Sequence, residues 1–171
     1  NIYEKFRKFN FINCWSISEH ESFAMWKLFL KSDEGVTIQS TYKLLRESFN
    51  KTEETVHIGN VKYIDYNAEI IKEGNILFPF FHKRKSFEYE QELRALIMKH
   101  ASKKDNPQEL DLDYDFGAGI HVSIDLKVLI KCIYVAPTST KWFKELVSSV
   151  VSKYNLEKEV KQSSLEDGPV Y

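Results

Sequence analysis

Glu88, Glu90 and Glu92 alternate through "EYEQELRALI" and are followed by Arg94. On a β-strand, residues i, i+2 and i+4 line one face, about 6–7 Å apart along the chain. These four side chains would then share a face, with Leu93, Ala95 and Ile97 on the apolar opposite side. Neighbouring carboxylates raise one another's pKa, and an adjacent guanidinium lowers its neighbour's. Such a split suits glycosyl chemistry, in which one carboxylate stabilises a cationic sugar centre while the other handles a proton. Glu90 and Glu92 are therefore the candidate catalytic pair.

A helix accounts for the same residues. Ser86 would cap it, Tyr89, Leu93, Leu96 and Ile97 would face inward, and Arg84–Glu88 and Glu90–Arg94 would be surface i,i+4 pairs. Periodicity leaves residues 88–98 open between strand and helix.

The block just before the pair is "HKRK", His82 to Lys85. Arg and Lys there could grip a phosphate or pyrophosphate through charge-assisted hydrogen bonds. Arg84 and Arg94 are thus candidates for holding an anionic substrate. Beside three glutamates, the same block also reads as a self-neutralising surface. Phe80, Phe81, Phe87 and Tyr89 could clamp an aromatic ring or fill the core. In "CWSISEHESFAMW", Ser16 and Ser18 alternate at a strand end and could hold a ribose, with Ser18 equally placed to cap the next helix. A metal-dependent nuclease built on Asp65, Glu90 and Glu92 would need a lysine beside the last carboxylate; Lys83 and Lys85 stand on the wrong side of the pair.

The elements that must position these residues are short. The chain has 171 residues, 43% hydrophobic and 29% charged, which fits one globular domain with a proper core. The 24 basic and 25 acidic residues balance, so nucleic-acid or membrane binding would need a local patch. Expected strands are "FINCWS", "GVTIQS", "HIGNVKYIDY", "IHVSI", "IKCIYVA" and "EKEVKQS". Expected helices run from the Ser18 cap to Gly35, from Ser40 through "TYKLLRESF", and from Ser139 to Tyr154. Residues 101–119 read as an acidic surface loop. The pattern predicts a single α+β domain with a central mixed or mostly antiparallel sheet.

Cys14 and Cys132 lie in apolar runs and read as buried, reduced thiols. No zinc-type spacing occurs, so no metal is expected. With no apolar run near the roughly 18 residues of a membrane span and no signal peptide, the sequence reads as cytoplasmic. The opening "NIYEKFRKFNFINCW" reads as a helix tail entering a strand, as if an N-terminal piece were missing.

Together, "CWSISEHESFAMWKLF", "GVTIQST", "VKYIDY", "HKRKSFEYEQELRALI", "VAPTSTKWFKELV" and "SSLEDGPVY" resemble a bacterial domain-of-unknown-function family. It is marked by an MW…Y…G core, a K…F/W…E-x-E-x-R block and a late P…W helix. The resemblance spans almost the whole chain and implies a further strand ahead of "CWS". The order of a Ser-bearing strand followed by E-x-E at a strand start also resembles ADP-ribosyltransferases. That resemblance implies NAD as co-substrate, with Glu92 holding the nicotinamide ribose and Glu90 orienting or deprotonating the acceptor. Ser16 or Ser18 would support the ribose, and Tyr89 or Phe87 would pack by the nicotinamide. The acceptor would be a protein or nucleic acid. The competing expectation is a non-enzymatic nucleic-acid- or protein-binding module using the Lys83–Lys85 cluster.

Overall fold

The central element of the site is the strand "ELRALIM". Its β-branched and aliphatic run is buried on both sides, with Leu96 fully enclosed and Leu93, Ala95 and Ile97 nearly so. A strand this apolar needs neighbours on both edges, and it has them. The computed structural model describes residues 6–72 and 74–165. Among them the strands are β1 (Asn10–Ser16), β2 (Val36–Gln39), β3 (Val56–Asn60), β4 (Lys62–Ile64), β5 (His82–Arg84), β6 (Glu92–Met98), β7 (Cys132–Val135) and β8 (Val160–Gln162). The helices are α1 (Phe23–Phe29), α2 (Tyr42–Ser48), α3 (Leu126–Leu129) and α4 (Lys141–Lys153), with 3-10 turns at Phe78–Phe81 and Lys85–Glu90.

The class is α+β, as expected, but the strands form three small sheets rather than one central sheet. They are distributed over two compact units, Asn1–Ile17 with Glu53–Val122, and Ser18–Thr52 with Ser123–Tyr171.

In the first unit β6 pairs antiparallel with β1 on one edge and β3 on the other. Gly59 of β3 faces Arg94, and a Cβ there would come within 3.1 Å of the Phe81 ring. The absence of a side chain is what lets the Phe78–Phe81 turn lie close to the sheet. A second, two-stranded sheet pairs β4 and β5 in parallel, with Tyr63 opposite Lys83. The expected long strand at 57–66 is thereby broken at Val61, whose N–H donates to the Glu92 carbonyl.

In the second unit β2, β7 and β8 form a mixed sheet. Ile130, Ile133 of β7 and Val151 of α4 form its buried cluster, packed with Val147, Leu156 and Val160. Helix α1 is capped by Ser22, whose hydroxyl accepts the Met25 N–H, and it stops at Phe29. The expected Ser18 cap and Gly35 stop are therefore corrected. Four residues nearer the apolar turn, Ser22 satisfies an orphan N–H that Ser18 would leave bare. Helices α2 and α4 begin at the Thr41 and Thr140 caps, close to the expected starts. Residues 120–124 form no strand, although "IHVSI" alternates correctly; the run finds no pairing edge.

The thiols differ from expectation in one case. Cys132 is buried, but Cys14 is exposed because β1 is an edge strand with its side chains half in solvent. No helix among the described residues is long and apolar enough to cross a membrane. Of the sequence expectations, residues 2–5 of the opening helix and the closing "EDGPVY" lie outside the described residues.

Candidate functional site

The open question over residues 88–98 resolves into neither simple form. Lys85–Glu90 winds as a 3-10 turn, Gln91 takes a left-handed conformation (φ 43°), and the strand begins at Glu92. Left-handed backbone is disfavoured for a residue with a Cβ. Here it is held by the Gln91 N–H to Glu88 carbonyl bond and by the Ile17 N–H to Gln91 carbonyl bond. Glu88 is consequently exposed and takes no part, a correction to the shared face of three glutamates. Glu90 and Glu92 reach the same place from opposite sides of the reversal rather than by strand alternation.

What they reach is one ammonium group. Lys83 Nζ donates to Glu90 Oε2 at 2.5 Å and to Glu92 Oε1 at 2.6 Å. The nearest oxygens of the two carboxylates therefore lie no more than about 5 Å apart, within the span over which a carboxylate pair can flank a sugar cation. Arg94 holds the other Glu92 oxygen, Oε2, at 2.6 Å through Nε and donates Nη1 to the Phe80 carbonyl at 2.5 Å. Tyr63 Oη accepts the Glu92 N–H at 2.8 Å. Ser16 Oγ donates to the Glu90 carbonyl at 2.9 Å. The Phe87 ring lies under the Lys83 ammonium at 4.8 Å, a cation–π contact.

Side-chain exposure is low throughout: 8% for Glu92, 13% for Glu90 and Arg94, and 24% for Lys83. Burial alone would raise the Glu92 pKa. The neighbouring Glu90 carboxyl, the hydrogen bonds donated by Lys83 and Arg94, and the Arg94 charge outweigh burial and hold it down at about 2. Burial opposes the Lys83 charge, but the hydrogen bonds and charges of both glutamates push its pKa up. Tyr63 is raised, first by burial and then by the glutamate charges, against the lowering effect of its hydrogen bond from Glu92. Glu92 is thus an anion at neutral pH, and so cannot serve as a general acid there.

Of the sequence candidates, the fold brings together Glu90, Glu92, Arg94 and Ser16. Arg84 is exposed and lies over the Tyr66 ring at 5.3 Å, since alternation along β5 sends it the opposite way from Lys83. Tyr89 is 55% exposed. Ser18 belongs to the second unit and donates to the His20 carbonyl. The lysine that the nuclease reading placed on the wrong side is the one between the carboxylates. Asp65, that reading's third carboxylate, instead accepts the Asn67 N–H at 2.9 Å. Tyr63 and the bridging position of Lys83 between the two carboxylates are the features of the cluster that the sequence did not single out. Their only signal was that "KYI" and "HKR" are both short strands, which can be laid side by side.

No protein-family model, no curated protein and no solved structure matches this chain. Function is therefore read from the chemistry of the cluster.

Cys14 offers a probe of that chemistry, since it faces Arg94 across the β1–β6 pair. Its thiol is pushed up by local burial and then by the Glu92 charge, with Arg94 pulling the other way. Alkylation of Cys14 by iodoacetamide at neutral pH is expected to be slower than that of an unstructured cysteine, because the thiolate is the nucleophile. Glu92→Gln should speed it. An unchanged rate in that variant would show that the thiol does not sense the Glu92 charge.

Proposed function

We propose that the chain cleaves the nicotinamide–ribose bond of NAD, passing ADP-ribose to water or to an acceptor. The observation that carries this reading is the convergence of Glu90 and Glu92 on a single positive charge. Cleavage of that bond generates a ribosyl cation, and two fixed carboxylates about it lower the barrier by electrostatic preorganisation. Nicotinamide leaves with the electron pair of the C1′–N1 bond and becomes neutral, so no proton need be supplied to it. A carboxyl with a pKa of about 2 fits that role. It does not fit an O-glycoside hydrolase, which needs a protonated acid near neutral pH.

Glu92 is the stabilising anion. Glu90, on the more exposed side, orients the incoming nucleophile and takes its proton. Lys83 fills the cation's place in the chain alone and is displaced from Glu92 Oε1 when ribose binds, freeing that oxygen for a hydroxyl. Arg94 keeps the carboxylate aimed through its bond to Oε2. Phe87 supplies an aromatic wall.

Incubation with nicotinamide-labelled NAD tests this. Free nicotinamide should accumulate with the wild type and fall at least about 100-fold with Glu92→Gln, a loss typical of removing a transition-state charge partner. No release by the folded wild type, with or without protein and nucleic-acid acceptors, would end the reading.

The second reading is a non-enzymatic nucleic-acid-binding module. The exposed Arg84 stacked on Tyr66 favours it, as a pair on which a base could stack. Lys83 cannot serve it, since its charge is taken up by two glutamates. Binding of a single-stranded oligonucleotide that weakens steeply with salt would support it, and salt-insensitive or absent binding would remove it.

A further inference from the structure

Among the described residues, strand β1 forms an open edge. The first unit's sheet runs in the order β1–β6–β3, so β1 is bonded on one side only. The register fixes which groups face outward. Ile17 N–H donates to the Gln91 carbonyl and Lys99 N–H to the Phe9 carbonyl. In the same register Phe11, Asn13 and Trp15 exchange hydrogen bonds with β6. Asn10, Ile12, Cys14 and Ser16 therefore point their N–H and C=O groups away from the sheet. Among the described residues nothing accepts or donates to those outward backbone groups. Ile12 is 39% exposed, and Asn13, Cys14 and Ser16 are exposed as well.

Free edges are normally blunted by lysine, proline, a bulge or a covering segment. Asn10–Ser16 reads "NFINCWS", with no charge and no proline. It is seven residues long and bulge-free against β6. Such an edge is built to be paired.

We propose that β1 pairs antiparallel with β1 of a second copy of this chain, about a two-fold axis at Asn13. The sequence is compatible with itself in that register. Ile12 falls opposite Cys14 and Asn10 opposite Ser16, so every outward-pointing residue meets an outward-pointing residue of the other copy. No like charges meet, because the strand carries none. The two three-stranded sheets then join into one continuous sheet, a closed isologous contact of the commonest oligomer symmetry. This proposal is independent of the chemistry assigned to Glu90 and Glu92.

Sedimentation velocity on the whole chain over a range of concentrations tests it. A concentration-dependent dimer is expected. Cys14→Pro removes only an outward N–H, which an edge strand tolerates, and it should give a monomer with an unchanged circular dichroism spectrum. Ile12→Lys, which places a charge on the edge without touching the β1–β6 ladder, should do the same. Asn13→Cys combined with Cys14→Ser brings two thiols together across the axis, at a Cα separation near 4.5 Å. It should form a disulfide-linked dimer on mild oxidation. A chain that stays monomeric throughout would overturn the proposal. So would a dimer unaffected by Ile12→Lys, which would place the contact elsewhere, or binding of β1 to a strand from some other polypeptide in its place.

Discussion

Glu92→Gln is expected to lower the stability of the first unit by about 3–5 kcal/mol, the usual cost of removing one partner from a buried ion pair. Glu92 is only 7% exposed and bonds two cations at once. Without its charge, Arg94 keeps a largely buried guanidinium whose remaining described partner is the Phe80 carbonyl. The tight, strained entry to β6 through Gln91 loses the bonds that hold its first residue in place. Urea denaturation followed by the shift in midpoint measures the effect. A loss below about 1 kcal/mol would mean that the cluster is solvated in solution. The pH dependence has a definite sign. The folded pKa of about 2 lies below the ordinary 4.5, so the Glu92 contribution is complete above pH 4.5 and is lost as pH falls toward 2. Glu92→Gln should remove that acid limb and leave a flatter stability curve between those values.

Lys83→Met should cost about 2–3 kcal/mol, from two charge-assisted hydrogen bonds made in a mostly covered position. The methylene stem and its contact with Phe87 are largely retained in methionine, so the loss isolates the ammonium. With that charge gone, Glu92 keeps Arg94 alone, its pKa rises, and acid unfolding begins at a higher pH than in the wild type. The pair is also non-additive. Combined with Glu90→Gln, the double variant should be more stable than the sum of the single losses implies, by about 1 kcal/mol or more, because both changes remove the same bond. Strict additivity would show that Lys83 and Glu90 do not meet. The Lys83 contribution runs opposite to that of Glu92 in pH: its folded pKa is raised, so it is present below the ordinary lysine value and fades only as pH climbs above it.

Much of this arrangement could be read from residues alone, and the failures have physical causes. The apolar face of "LRALI" and the choice of Glu90, Glu92 and Arg94 came from period-two alternation. The run is a strand from Glu92 onward, although both of its faces are covered. Alternation misled at Glu88 and Glu90, because a left-handed Gln91 carries no composition signal; asparagine or glycine would have announced it. Lys83 was discounted on chain order. Its approach depends on β4 and β5 lying parallel, a long-range pairing that local pattern does not encode. Ser18 lost the helix cap to Ser22 because several polar residues precede α1 and composition does not say which of them caps it. Cys14 was expected inside because its neighbours are apolar, but those neighbours form an edge strand. "IHVSI" has strand propensity without a partner, and propensity alone does not make a sheet.

Glu92 is a covered anion clasped between Lys83 and Arg94. Following its side-chain carboxyl carbon by NMR through an acid titration reads that state directly. A midpoint near 2 is expected, or unfolding before the resonance moves, with the midpoint rising in Lys83→Met. A wild-type midpoint in the ordinary range near 4.5, in a chain that remains folded, would contradict it.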